Sequence, residues 1–392
     1  MGQGLVVGDL RVQQIERGDG GVSFTIVWPE GAVHGEADRF LRGHEGSGTQ
    51  RTYAYLLVDH LRWLERECLR PGAVTLLDLE RYMGAVGAGV RMPLGELWRA
   101  GKRPYRGAAL SAAAACLKGF YLYHAARGVN EELGRRLDKT RLPTRADRNR
   151  ALLGHVTRSM PTNPLAPGQV RRRHPKMLPE GARERLLELA GTARDRLVIT
   201  WLADGGLRIG ELCGLHLADL HLRESAGCAE CRSAHLHVCH RPGNPNRAAA
   251  KSKYEWAADD GIIRGGLIKR ASPAMIHSYF EYMTTEYPRG AGHGMLLVQL
   301  HGARRGQPWA PDAARGMLRR ASASAGLGLV KPHQFRHSFA TAVLDASGGN
   351  LVVTREAGGW ASAATVDEVY AHADVHDPVF DLALRRAWGD QE

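Results

Sequence analysis

In PHQFRHSFATAV, residues 332–343, His333 and Arg336 stand three apart within an otherwise apolar stretch. On a helix that spacing puts both on one face, where an imidazole and a guanidinium can hold a single anion between them. Pro332 suits the first turn. Phe335, Phe339, Ala342, Val343 and Ala346 recur at helical spacing and predict the buried stripe that would carry the pair. GGLRIGELCGL repeats the arrangement, with Arg208 and Glu211 at i and i+3 and with Ile209, Leu212 and Cys213 as the apolar face. The Gly205-Gly206 break sets Arg208 at a helix N-terminus, where backbone N–H groups add to an anion site. A third segment, GGWASAATVDEVYAHA, offers an indole donor in Trp360, a helix N-cap in Ser362 and a phenol in Tyr370. Each piece also has an ordinary reading: a solvated basic helix edge, an Arg208–Glu211 salt bridge, a core tyrosine. Together they form a series that can clamp an oxyanion and bring a nucleophile to it.

The charge balance indicates which anion. With 53 Lys and Arg against 41 Asp and Glu, the net charge is +12, so a polyanion is the partner to expect. Between Arg135 and Lys176 twelve basic residues face only Asp138 and Asp147, so this window carries +10 and the remainder of the chain +2. A solvated basic linker would look similar, but a near-neutral remainder favours a local nucleic-acid contact. Apolar residues make up 44% and charged residues 24%, as in ordinary soluble globular proteins. No run approaches the ~20 apolar residues of a membrane span. The start, MGQGLVVGDLRVQQIERGDGG, lacks a basic region followed by an apolar one. These features predict a cytoplasmic, nucleoid-associated protein.

The elements that must position these residues can be read from periodicity. LRVQQIE and VSFTIVW alternate around RGDGG and predict a β-hairpin in an N-terminal extension, residues 1–35. RTYAYLLVDHLRWLEREC, VTLLDLERYMGAV and LSAAAACLKGFYLYHAARG have helical spacing, giving a helical domain over residues 36–140. Prolines at 143, 161, 164, 167 and 175 interrupt residues 141–176, a basic linker in which Arg171, Arg172 and Arg173 are placed to meet phosphates. A mostly helical domain follows over residues 177–392. Within it SAHLHVCHRPG and GIIRG read as strands of an antiparallel ribbon whose long tip is NPNRAAAKSKYEW.

The ordered set GLRIGEL, HQFRH, GGW and VYAH resembles the tyrosine recombinase (phage integrase) family over about residues 40–390. The resemblance implies a mainly α fold with a small β component: an N-terminal helical core-binding (SAM-like) domain and a mostly helical catalytic domain with a small antiparallel β-sheet. It implies that Arg208, His333, Arg336, Trp360 and Tyr370 are catalytic, that Glu211 supports Arg208, and that His337 is a supporting residue. The family's hairpin lysine corresponds to Lys251 or Lys253, the Ala-Lys-Ser context favouring Lys251; the stretch after it, EWAADDGII, departs from the family pattern.

These residue types suit that chemistry. A phenol of pKa ~10 must lose its proton as it attacks. Two guanidiniums can clamp non-bridging phosphate oxygens bidentately, and a lysine can protonate the departing oxygen. By the resemblance, the product is a 3′-phosphotyrosine that a 5′ hydroxyl can reverse without ATP, and no cofactor is required for catalysis. Neither a glycine-rich phosphate loop nor a two-metal carboxylate set stands out. The implied partners are double-stranded DNA, a homotetramer on two sites and a DNA-bending accessory protein. The C-terminal Phe380, Leu382, Leu384 and Trp388 pack on their own domain or dock on a neighbouring protomer. A nicking-closing type IB-like topoisomerase, a hairpin resolvase and a non-enzymatic DNA-binding accessory protein are the competing readings.

One cluster falls outside this set. CAECRSAHLHVCH packs Cys228, Cys231, His235, His237, Cys239 and His240 into thirteen residues. A strand through 235–240 would put His235, His237 and Cys239 on one face, with Cys228 and Cys231 as further ligands for a structural zinc ion. The alternative is a hairpin with adventitious Cys and His.

Overall fold

The computed structural model describes residues 10–16, 18, 21–87, 103–144, 159–167, 176–251, 254–360 and 366, and the chain divides into two compact units, Met1–Arg172 and Arg173–Glu392. No helix among the described residues is long and apolar enough to cross a membrane.

In the first unit β1 (Arg11–Glu16) pairs antiparallel with β2 (Val22–Val27), Arg11 opposite Val27. Among the described residues five α-helices follow: α1 (Gly35–Arg42), α2 (Gly48–Arg66), α3 (Leu76–Gly87), α4 (Ala108–Ala125) and α5 (Glu131–Leu137). The hairpin is not a separate appendage. Strand alternation turns Ile26 inward, and with Leu10 it joins Phe40, Leu57 and Phe120 in one core. Part of the expected linker is also held on this unit. β3 (Thr140–Arg141) pairs with β4 (Met160–Pro161), Lys118 Nζ donates to Thr162 O at 2.7 Å, and Leu165 is buried in the same core. Arg171, Arg172 and Arg173 lie outside the described residues.

The second unit contains α6 (Ala182–Glu188), α7 (Ala193–Gly205), α8 (Ile209–Cys213), β5 (Leu220–His221), β6 (His235–Val238), β7 (Trp256–Asp259), β8 (Ile262–Gly265), β9 (Leu267–Arg270), α9 (Pro273–Thr285), α10 (Pro311–Ser324), α11 (Pro332–Ala346) and α12 (Leu351–Gly358). Helix α7 is central. Thr192 caps it by accepting from Asp195 N, its Leu197, Val198, Ile199, Trp201 and Leu202 are wholly buried, and Trp201 Nε1 donates to Met275 O at 3.0 Å.

Two sequence expectations fail here. The expected ribbon of SAHLHVCHRPG with GIIRG does not form: β6 pairs instead with β9, Leu236 opposite Lys269, while β7 and β8 make a hairpin of their own. Gly265 and Gly266, both at positive φ (+75° and +72°), are the reason, since they turn the chain between β8 and β9 and free β9 to pair with β6. On α11 the buried row is Phe335, Arg336, Ala340 and Leu344. Ala342 and Ala346 are exposed, while Phe339 and Val343 are half-buried along a groove shared with Leu178 and Val353. Packing on α7 and α12 turns the 336/340/344 row inward and places Arg336 in the core.

Candidate active site

Arg208 is the N-cap of α8, as the Gly205-Gly206 break predicts, and Glu211 folds back onto it. The Glu211 carboxylate, fully buried, accepts from Arg208 N at 2.8 Å and from Arg208 Nη1 at 2.5 Å. The Arg208 amide expected to add to an anion site is therefore taken by Glu211. Arg336 reaches the same carboxylate from α11: its Nη1 lies 4.0 Å from Glu211 Oε2 and donates to Gly206 O at 2.7 Å. Gly206 must be glycine. Its φ is +55°, and a Cβ there would stand 2.3 Å from the Phe339 ring. Trp360 follows α12 through Gly359, whose φ of +68° and 2.4 Å Cβ clearance from Leu267 impose the same requirement. The Trp360 ring lies 4.3 Å from the Arg336 guanidinium, a stacking geometry that fixes the plane of the fork.

His333 sits at the open edge of this group. Partial burial, then the neighbouring cations Arg336, Arg208, Lys251 and Arg315, lower its pKa and favour the neutral imidazole at pH 7. The pKa of His337, whose ring centroid is 6.0 Å from that of His333, is lowered by burial and by the charge of His333 and Arg336. Lys251 is exposed. Its loop is nevertheless well anchored. Asn246 Nδ2 donates to Cys213 O at 2.8 Å and Trp309 O at 2.9 Å, and its Oδ1 accepts from Ala248 N at 3.0 Å. Asn244 bridges Gly214 O and Ala248 O, and His240 Nδ1 donates to Ala250 O at 2.7 Å. These bonds tie the approach to Lys251 beneath the C-terminus of α8. Asn246→Ala would leave buried carbonyls unpaired and is expected to cost ~1–3 kcal/mol of stability. It should slow any step that depends on Lys251 by about tenfold, one such unit of 1.4 kcal/mol. Chemical denaturation alongside single-turnover cleavage checks both effects.

Two cations were not anticipated from sequence. Arg315 of α10 is one of the charges felt at His333. Lys269 on β9 is buried; its Nζ donates to Gly205 O at 3.0 Å and Ala357 O at 2.6 Å, and lies 5.4 Å from the centroid of the Phe339 ring. Burial, with further repulsion from Arg336 and Arg208, pulls its pKa down to about 7. Between pH 7 and the ordinary lysine range, the folded chain therefore binds fewer protons than the unfolded chain. Stability should rise with pH across that window, this residue's share approaching ~1.4 kcal/mol per unit, while the full cost of burying the charge applies below it. Lys269→Met should flatten that slope, as denaturant titrations at pH 7 and pH 9.5 would read directly.

Tyr370, Ser362 and Lys253 lie outside the described residues. The Cys/His segment is arranged differently from the expected zinc set. The ligand atoms of His221, Cys228, His235 and His237 lie within 4.8 Å of one another. Cys231 and Cys239 are not among them. β6 ends at Val238, so Cys239 leaves the alternation; the Cys231 thiol donates to Ser233 O at 3.4 Å; and β5 brings His221 opposite His235.

Residues 268–376 match the phage integrase family. Transposase A from transposon Tn554 of Staphylococcus aureus is 22% identical over 228 residues, 58% of this chain and 57% of that protein. Tyrosine recombinase XerD of Mycobacterium tuberculosis is 30% identical over 230 residues, 55% of this chain and 61% of that protein. The chain thus spans less than two thirds of either curated relative. The Tn1549 transposon integrase, solved with transposon right-end DNA, superposes with a TM-score of 0.54 at 15% identity, covering 90% of this chain and 98% of that one. At that identity the likeness speaks for a shared fold: helical units with small antiparallel sheets.

Proposed function

We propose that the chain, whose residues 268–376 match the phage integrase family, is a tyrosine recombinase acting as a site-specific DNA recombinase, the integrase of a mobile element. The observation that carries the reading is a concentration of positive charge. Arg208, Arg336 and Lys269 gather around the buried carboxylate of Glu211, with His333 and Lys251 on the open side. Such an excess of cations and donors suits a phosphodiester whose charge grows in the transition state.

In this reading the Tyr370 oxygen attacks the scissile phosphorus and the bond to the 5′ oxygen breaks. Arg208 and Arg336 hold the non-bridging oxygens, with His333 and the Trp360 indole as further donors. The phenol proton leaves as the oxygen attacks, and Lys251 protonates the departing 5′ oxygen. A 5′ hydroxyl from a partner strand then reverses the step. The family's chemistry calls for no cofactor, and the groups named here belong to the chain. Double-stranded DNA is the substrate, bound with help from Arg171, Arg172 and Arg173 at phosphates. The working assembly is a homotetramer across two sites, with a DNA-bending accessory protein where a site must be folded.

Covalent trapping tests the proposal. The protein is incubated with nicked duplexes from the DNA flanking its gene and run on a denaturing gel, and any adducted peptide is sequenced. An adduct mapping to Tyr370 is the expected result, with strand exchange requiring two sites. Demonstrated binding to those duplexes without any adduct would overturn the enzymatic reading, and relaxation of a one-site plasmid without exchange would make the chain a topoisomerase.

A further inference from the structure

We propose that His221, Cys228, His235 and His237 form a closed tetrahedral zinc site clamping the small sheet to the loop that precedes β6. His235 and His237 alternate onto one face of β6, and His221, opposite His235 in the β5–β6 register, shares that face. The loop of residues 222–234 then returns the Cys228 thiol to the three rings. Ser225 and Ala229 adopt left-handed backbone conformations on either side of it (φ +50° and +61°). Cys228 Sγ lies 3.2 Å from His235 Nε2, which lies 3.2 Å from His237 Nε2. Ligand atoms around a tetrahedral zinc ion are ~3.3–3.8 Å apart, close to these two separations, and all four ligand atoms lie within 4.8 Å of one another.

The hydrogen bonds specify the tautomers. His235 Nδ1 is 2.7 Å from Ser233 O and His237 Nδ1 is 2.6 Å from Gly265 O. A carbonyl only accepts, so each Nδ1 carries a proton and Nε2 is the atom each ring turns toward the other. These two buried Nε2 atoms and the Cys228 thiol thus converge on one point, as ligands of a single ion do. Nδ1–H bonded to a backbone carbonyl is also how metal-binding histidines are held and oriented. Glu230 extends this outer layer: its Oε1 accepts from Gly265 N at 2.8 Å and its Oε2 lies 3.9 Å from His237 Nδ1. Three imidazoles and one thiolate, with no oxygen ligand among them, match zinc in a structural role. The opposite face of β6 carries Leu236, the register partner of Lys269, so the clamp stiffens from behind the strand pair that holds this lysine.

The inference stands apart from the recombinase reading, because metal content and spectra are measured without DNA. The full chain, purified without chelators under reducing conditions, should contain about one zinc per chain. After removal of that metal, cobalt(II) should give the visible bands of a tetrahedral site and a thiolate-to-cobalt charge-transfer band. Cys228→Ser should abolish the charge-transfer band, while Cys231→Ser and Cys239→Ser should leave stoichiometry and spectrum unchanged. A wild-type chain that takes up no cobalt as a tetrahedral thiolate complex would overturn the proposal, whatever the variants do. So would a charge-transfer band that depends on Cys231 or Cys239 instead of Cys228.

Discussion

A Tyr370→Phe chain should form no covalent adduct on a nicked duplex while binding that duplex as the unaltered chain does. The change deletes one oxygen and leaves the cations untouched, so affinity, which comes mainly from phosphate contacts, should hold within about twofold across salt concentrations. Cleavage should vanish completely, because the phenol oxygen forms the bond in which the strand is stored and no donor of the cluster can substitute for it. The gel that shows the adduct and a parallel binding titration are sufficient. An adduct that survived would place the nucleophile on another phenol. Tyr254, 47% exposed on the cleft lined by Lys269 and Phe339, would be the one to change next.

Arg336→Lys should reduce single-turnover cleavage on the order of 10²- to 10³-fold, the range lost when one preorganised transition-state donor is removed. The charge survives the exchange but the fork does not. Arg336 uses its planar head three ways: Nη1 holds Gly206 O, the same nitrogen faces Glu211, and the flat of the guanidinium lies on Trp360. An ammonium has no plane to stack and no parallel pair of N–H groups to offer a phosphate. DNA affinity should change only a few-fold, since one contact among many keeps its sign. A large loss of affinity with unchanged cleavage at saturating DNA would contradict the assignment, and a Trp360→Ala chain should show a smaller loss of the same kind.

Much of this site could be read from residue types and spacing. Arg208 with Glu211 and His333 with Arg336 are i, i+3 pairs next to glycine or proline breaks, and the structure brings both arginines to the Glu211 carboxylate with His333 close enough to feel their charge. The helices of the first unit follow their apolar periodicity. What escaped notice has physical causes. Lys269 looks like a solvated strand residue because sequence does not reveal which face a four-residue edge run buries; only pairing with Leu236 turns it inward. Asn244 and Asn246 look like turn formers, which they are, but their amides also bond distant carbonyls, Asn244 that of Gly214, 30 residues away, and Asn246 that of Trp309, 63 residues away. His221 joins the His/Cys cluster through a two-residue strand too short to leave a period-2 signal.

The anchoring of α12 by Lys269 also limits the reach of Tyr370, the nucleophile proposed above. Lys269 Nζ fastens Ala357 O to the same point as Gly205 O, at the end of α7, so the chain leaves the core near Trp360 from a fixed post. Tyr370 comes ten residues further on. A leash of that length extends at most ~36 Å, and only about 15 Å if it coils into a helix. In the proposed reaction, any phosphate that Tyr370 serves lies within about that distance of the post. Lengthening the leash with a few glycines after Trp360 should therefore relax the choice of strand before it affects the chemistry.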